Sequence, residues 1–314
     1  MNNQIAYEKI RSLTQTLGTV IRGKSKIIEL AVAVLLSKGH LLIEDVPGVG
    51  KTTLAHGLAR SISCTFQRIQ FTSDLLPSDC IGVTVYNDRE HAFEFRRGPL
   101  FANVVLADEI NRATPRTQSA LLEAMNDRQV SVDGVTHPLP EPFMLLATQN
   151  PAEFSGTFPL PESQLDRFTM CMRIGYPDLA DERLILTSIE SASVIKTLSP
   201  VLTTTDVTEM QRLALDVRVD EDIVNYILAI TEATRNHRGV KLGISPRGAM
   251  TLYKTLQAIS LVKGRDYAIP DDVKLLATPV FAHRIIPAGA IEEESSEESS
   301  AIIEEILSTI KVPI

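Results

Sequence analysis

Apolar residues in the first half of the chain fall into short runs separated by stretches of helical spacing. The runs are HLLIED (40–45), FQRIQF (66–71), VVLADE (104–109), FMLLATQN (143–150) and MCMRIGY (170–176). Runs this apolar suit strands buried on both faces, and their alternation with helical patterns predicts a parallel sheet with helices on either side. Two further stretches, 84–96 and 130–138, alternate or carry turn residues, with Asp133-Gly134 as a hairpin signal. They read as hairpins inserted into the sheet domain.

Beyond about residue 195 the spacing changes. Residues 220–237 and 246–262 place apolar side chains three and four apart with no strong strand signal after them, so a helical second domain follows. Ser245-Pro246 offers an N-cap and a proline at the first helical position, which sets Arg247 in the opening turn. The tail 291–300 (IEEESSEESS) reads as a solvated acidic linker, and 301–310 aligns Ile302, Ile303, Ile306, Leu307 and Ile310 on one stripe that docks back. The expected units are 1–195, 196–290 and 291–314.

A chain of 314 residues is long enough for two domains at roughly 150 residues each. Its 31 basic and 39 acidic side chains leave a net charge of −8, which supplies no bulk attraction to nucleic acid or anionic lipid. The longest apolar stretch, 27–36, is interrupted by Glu29 and is too short to span a bilayer, and no export signal is visible. Cys64, Cys80 and Cys171 are odd in number and lack metal-ligand spacing, as expected of reduced cytoplasmic thiols. The six histidines form no HExxH motif.

The first strand runs into Val46-Pro47-Gly48-Val49-Gly50-Lys51-Thr52-Thr53 and then a helix near Leu54, the strand, loop and helix order of a phosphate cradle. Gly48 and Gly50 let backbone N–H groups turn toward β- and γ-phosphates, the helix N-terminus adds its positive end, and Lys51 adds a mobile charge. Thr52 offers a hydroxyl to Mg²⁺. Asp45 stands where the usual GxxxxGK[ST] pattern begins with glycine.

The apolar strand 104–107 ends in Asp108-Glu109, at the same sheet edge as the phosphate loop. Alone, this pair could be a solvated strand end. Beside Lys51 and Thr52 it suits Mg²⁺ binding by Asp108, largely through water, and activation of the attacking water by Glu109. Asn150 closes the next strand, where its amide could hold that water or cap the turn before Pro151. Arg167 and Arg247 are lone arginines whose default is a solvated surface.

Together, DVPGVGKTT, VVLADEINRA, LLATQNP, QLDRF and ISPRGAM, with FRRGPLF (95–101) and the two hairpins, resemble the MoxR family of AAA+ ATPases over about residues 5–310. The resemblance implies an α/β P-loop core with a five-stranded parallel sheet and inserted hairpins, followed by a smaller all-α lid. It implies ATP/ADP and Mg²⁺ as ligands and a homo-oligomeric ring, a hexamer, that remodels or matures a protein client, often one with a von Willebrand factor A domain. By the same resemblance Asn150 is the water-positioning sensor, Arg167 an arginine finger reaching a neighbour's γ-phosphate, and Arg247 the lid sensor, in cis or trans. Val20 and Ile21, in the turn before the first strand, lie near the adenine.

Two rivals remain in view. A DNA-acting ring motor shares such hairpins, but SVDGVTHPLPEP (131–142) has no Lys or Arg to track phosphates. A binding switch with little turnover would have no need of Glu109 beside Asp108.

Overall fold

The computed structural model describes residues 1–150, 156–187, 195, 197–289 and 295–313. Five parallel strands form the central sheet: β1 (Leu41–Glu44), β2 (Phe66–Gln70), β5 (Val104–Asp108), β8 (Met144–Gln149) and β9 (Met170–Met172). Their order is β2-β5-β8-β1-β9, with Leu42 opposite Ala147 and Cys171, and Gln70 opposite Asp108. All five expected strands are present. The fifth is shorter than expected, because Arg173 to Tyr176 leave the sheet for a turn in which Gly175 has φ +68°.

Alternation along the strands divides the interior between two cores. Leu41, Ile43, Leu106 and Leu146 point to one side, and Leu42, Val105, Leu145 and Ala147 to the other, all fully buried. The larger core takes in α1 (Asn3–Val20), α2 (Ser25–Leu36) and α3 (Lys51–Ser61). It continues into the second-half helices α8 (Thr204–Leu215), α9 (Glu221–Asn236), α10 (Pro246–Val262) and α11 (Pro270–Phe281). The smaller core lies under α5 (Pro115–Asp127).

Both expected hairpins are present, and the second turns as Asp133-Gly134 predicts. Strands β6 (Gln129–Val132) and β7 (Val135–Pro138) turn at Asp133 and Gly134, both with positive φ (51° and 78°), the conformation that a two-residue primed turn requires. Strands β3 (Gly82–Asn87) and β4 (Ala92–Arg97) form the other hairpin. Phe95 of β4 stacks on His137 of β7 with ring centres 4.1 Å apart, joining the two.

Ser245 caps α10 by accepting from Gly248 N–H at 3.1 Å, with Pro246 next, so Arg247 lies in the opening turn. The acidic linker is a correction. Helix α12 begins at Ser295 and runs to Thr309, so the second half of the acidic stretch is helical; residues 290–294 lie outside the described residues. Glu297 and Glu298 occupy the first turn, where the helix dipole favours acids, and Glu297 meets Arg173 at 3.3 Å. Ile302, Ile303 and Ile306 are buried in the larger core, so this helix does dock back.

Candidate active site

At the carboxyl edge of the sheet, β1 delivers the phosphate loop. Gly48 and Gly50 have φ of +88° and +99°, and a Cβ on either would meet nothing within 4 Å. The loop thus needs glycine for its backbone and faces open space. Helix α3 starts at Lys51, three residues before the expected start, with Gly50 as an N-cap that brings no side chain to the first turn. Thr52 and Thr53 are consequently in that turn, whose N–H groups and positive end favour an anion.

Asp45 has no positive φ, so its position does not require the customary glycine. Its buried carboxylate accepts from Val46 N–H at 2.9 Å and from Gly175 N–H at 2.7 Å. The substitution therefore fastens the start of the loop to the turn after β9. Lys51 Nζ donates to Asp45 carbonyl oxygen at 2.5 Å. Burial pushes the Lys51 ammonium below its ordinary value, opposed by Asp45, Asp108 and Glu109 around it.

Asp108 ends β5 and Glu109 follows in the left-handed region at φ 58°, which swings its side chain out of the strand direction. Thr148 of β8 ties the pair: its hydroxyl donates to Asp108 Oδ1 at 2.6 Å and accepts from Glu109 N–H at 2.9 Å. Arg68 donates to Asp108, while Gln70 Nε2 donates to Glu109 Oε2 at 2.8 Å and Arg112 meets the same oxygen at 3.2 Å. The sequence reading missed Arg68, Gln70, Arg112 and Thr148. For Arg68 and Gln70 the available signal was the alternating polar positions within FQRIQF, read against the register that sets Gln70 beside Asp108. Asn150 follows β8 at this same edge; Pro151 lies outside the described residues.

Val20 and Ile21 close α1, where Val20 packs against Gly57 of α3 and Ile21 is buried in the larger core. The turn after them meets the segment following β9: Lys24 Nζ donates to Tyr176 carbonyl oxygen at 2.7 Å, and Asp181 covers Gly23.

The donor set fits a nucleotide with Mg²⁺, an ion that keeps several waters and needs few protein oxygens. Thr52 and Asp108 would hold it. Among the described residues no cluster of three His, Cys, Asp or Glu offers a protein-only metal cage.

Arg167 and Arg247 are elsewhere. Arg167 precedes the first residue of β9, Met170, by three positions, and its Nη1 donates to Leu122 carbonyl oxygen at 2.6 Å. Arg247 Nη2 donates to Asn126 Oδ1 at 2.7 Å, at the far end of α5. Both line a cleft of about 330 Å³ that also includes Gly39, His40 and Thr169, the residues leading into β1 and β9. This is the amino edge of the sheet, a strand length of roughly 13 Å from the edge that carries Lys51. The two arginines come together, but away from this chain's own phosphate loop.

A lysine-bearing glycine loop stands beside an Asp-Glu strand end, on a β2-β5-β8-β1-β9 sheet with a helical second unit. Residues 40–170 match the ATPase family associated with various cellular activities (AAA), and 232–306 match the AAA lid domain. The chain is 40% identical over 304 residues to the chaperone MoxR1 of Mycobacterium tuberculosis, covering 94% of this chain and 80% of that protein.

This chain belongs to the MoxR family of AAA+ ATPases.

Two other likenesses of this MoxR-family chain are near-complete. The uncharacterized protein YeaC of Bacillus subtilis is 50% identical over 297 residues, 94% of this chain and 92% of that one. A crystal structure of a candidate ATPase from Cytophaga hutchinsonii is 35% identical, with a TM-score of 0.90 over 99% of this chain and 97% of the other. Among the described residues no helix is long and apolar enough to cross a membrane.

Proposed function

We propose that this MoxR-family protein hydrolyses ATP with Mg²⁺ at sites shared between neighbouring copies in a ring, a hexamer by resemblance, and uses turnover to remodel or mature protein clients. The observation that carries the reading is the separation of the chemistry. Lys51, Asp108 and Glu109 stand at the carboxyl edge of the sheet, while Arg167 and Arg247 share a cleft at the amino edge. Head-to-tail packing joins opposite ends of neighbouring protomers and gives a ring when its rotation closes. It would bring one copy's arginines to the next copy's phosphate loop, so both are read as acting in trans.

In this account Gly48, Val49, Gly50 and Lys51 hold the phosphates, with Thr53 backing the first helical turn. The end of α1 at Val20 and Ile21 would lie near the adenine. Bound Mg²⁺ would supply positive charge against the β- and γ-phosphate oxygens. Glu109 takes up or orients the proton of the attacking water, Asn150 fixes that water, and Arg167 of the neighbour meets the charge that develops on the γ-phosphoryl group. Units 1–195, 196–290 and 291–314 would act as ATPase core, lid and tail.

The client is read as a protein, with a von Willebrand factor A domain as the resemblance suggests, rather than nucleic acid. The β6–β7 hairpin supports this, having no Lys or Arg. The free thiols Cys64, Cys80 and Cys171 suit a reducing cytoplasm.

The test is a pair of variants in the full chain. Lys51→Ala is expected to abolish binding of a fluorescent ATP analogue. Glu109→Gln is expected to keep binding and stall turnover by about 100-fold or more. Loss of binding in both, or normal turnover in Glu109→Gln, would overturn the assignment.

A further inference from the structure

The cleft at the amino edge holds more positive charge than two arginines. Its walls carry Lys38, Arg128, Arg167, Arg247 and Lys254, with Arg284 behind them. Asp166 is the sole carboxylate among the lining residues. It is already matched, since Arg284 Nε donates to it at 2.8 Å, and Arg284 also donates to the carbonyls of Phe168 and Thr169. Burial pushes Arg284 down to about 10, as expected of a cation enclosed to hold a loop.

The other five cations form no ion pair among the described residues. Arg128 donates to Lys38 carbonyl oxygen at 3.1 Å, and Arg167 and Arg247 each make one neutral hydrogen bond. Lys254 makes none, and it is exposed. Like charges crowded into one concavity repel, and the field they raise is matched by a multivalent anion. That such a cluster exists on a chain of net charge −8 marks the cleft as locally specialised.

Helix α10 explains which cation comes next to Arg247. Arg247, Thr251 and Lys254 are spaced four and three apart, so they lie along one face, and all three line the cleft. Arg247 presents a planar fork, whereas Lys254 presents a point charge on a flexible stem that adapts to non-bridging phosphate oxygens.

We propose that Lys254 is a third trans-acting cation of the inter-subunit ATP site, contacting phosphate oxygens of the nucleotide held by the next copy's loop, beside Arg167 and Arg247. The proposal rests on the trans reading above. Arg128 and Lys38 supply the surrounding field, with Arg128 held back by its bond to the Lys38 carbonyl.

The test is complementation between full-length variants. Lys51→Ala subunits lack the phosphate-loop lysine but present an intact cleft; Lys254→Glu subunits present an intact loop and an altered cleft. Each alone should hydrolyse ATP at least about ten-fold more slowly than wild type, and mixing them should restore turnover. Lys254→Glu protein diluted below assembly should bind a fluorescent ATP analogue like wild type, because its own loop is untouched. Lys254→Arg should recover most of the rate.

Arg167→Ala mixed with Lys51→Ala is the comparator. If that pair complements while Lys254→Glu alone turns over within about two-fold of wild type, Lys254 has no such role and the trans reading stands. If neither pair complements, the trans reading falls and takes the proposal with it. Weakened analogue binding by dilute Lys254→Glu would place its effect within one subunit and overturn the proposal as well.

Discussion

Arg68 Nε and Nη2 both donate to Asp108 Oδ2, at 3.0 and 2.6 Å, so the carboxylate read as the magnesium ligand is matched to a cation of its own chain. Arg68 is about half exposed (49%) and Asp108 only 14%. Arg68 also donates to Gln70 Oε1 at 2.8 Å, and Gln70 reaches Glu109, so strand β2 holds both acids at once.

A divalent ion at Asp108 must compete with this pair. Ion pairs with an exposed partner contribute ~1 kcal/mol or less, so Arg68→Ala should lower the Mg²⁺ concentration for half-maximal binding of a fluorescent ATP analogue by up to about five-fold. An unchanged or higher requirement would remove Arg68 from the account of the site.

Asp45 should prove structural. Hydrogen bonds to a charged acceptor are worth about 1.5–3 kcal/mol each, and its carboxylate accepts two from backbone N–H groups. Asp45→Gly should therefore lower the melting temperature by several degrees, about 2 kcal/mol or more, although it restores the common loop pattern. Asp45→Asn, which keeps an acceptor oxygen, should lose less. Equal stability of Asp45→Gly and wild type in a thermal melt would refute the anchoring role.

Acid should weaken the fold through two buried imidazoles. Burial pushes His40 down to about 4, where Nδ1 accepts from Leu145 N–H at 3.1 Å and Nε2 donates to Met125 carbonyl oxygen at 3.1 Å. His283 is also held well below its ordinary value, by burial and by Arg284 beside it. Both folded values lie below the unfolded value near 6.5, so the unfolded chain takes up more protons as pH falls from about 6.5 toward 4. Stability should drop over that window by up to about 1.4 kcal/mol per pH unit for each imidazole. His40→Gln should show a shallower slope in melts between pH 7 and 5, and an unchanged slope would contradict the assignment.

The fold was readable where one residue type forces one conformation. Asp133-Gly134 turned the β6–β7 hairpin, Ser245-Pro246 started α10, and Gly48 and Gly50 took the positive φ that the loop needs. The first helix was legible but unread: Asn2 caps it by accepting from Ile5 N–H at 2.9 Å, and Ala6, Ile10, Leu13 and Leu17 recur at helical spacing on its buried face. The acidic stretch misled because composition favours a solvated linker, while docking of Ile302, Ile303 and Ile306 extends the helix back to Ser295.

The residues of the candidate site differ in how far local sequence marks their place in the fold. Asp108 and Glu109 sit at the end of β5 and Lys51 at the start of the helix that follows β1, places that any parallel sheet brings to one edge. Arg68 and Gln70 depend on the register of β2 against β5, and Arg167 and Arg247, 80 positions apart, line one cleft because Arg247 at the start of α10 reaches Asn126 of α5. Neither kind of neighbourhood is written in local spacing.

The central claim is that the ATP site is completed by a second copy. The most direct measurement is ATPase rate per protomer over a wide range of protein concentration, with particle mass followed in the same samples, for wild type and Arg167→Ala. A shared site gives a specific rate that climbs with assembly for wild type and stays near zero for the variant, which still binds nucleotide. A rate independent of concentration in both proteins would mean that each protomer works alone, and the shared site would have to be abandoned.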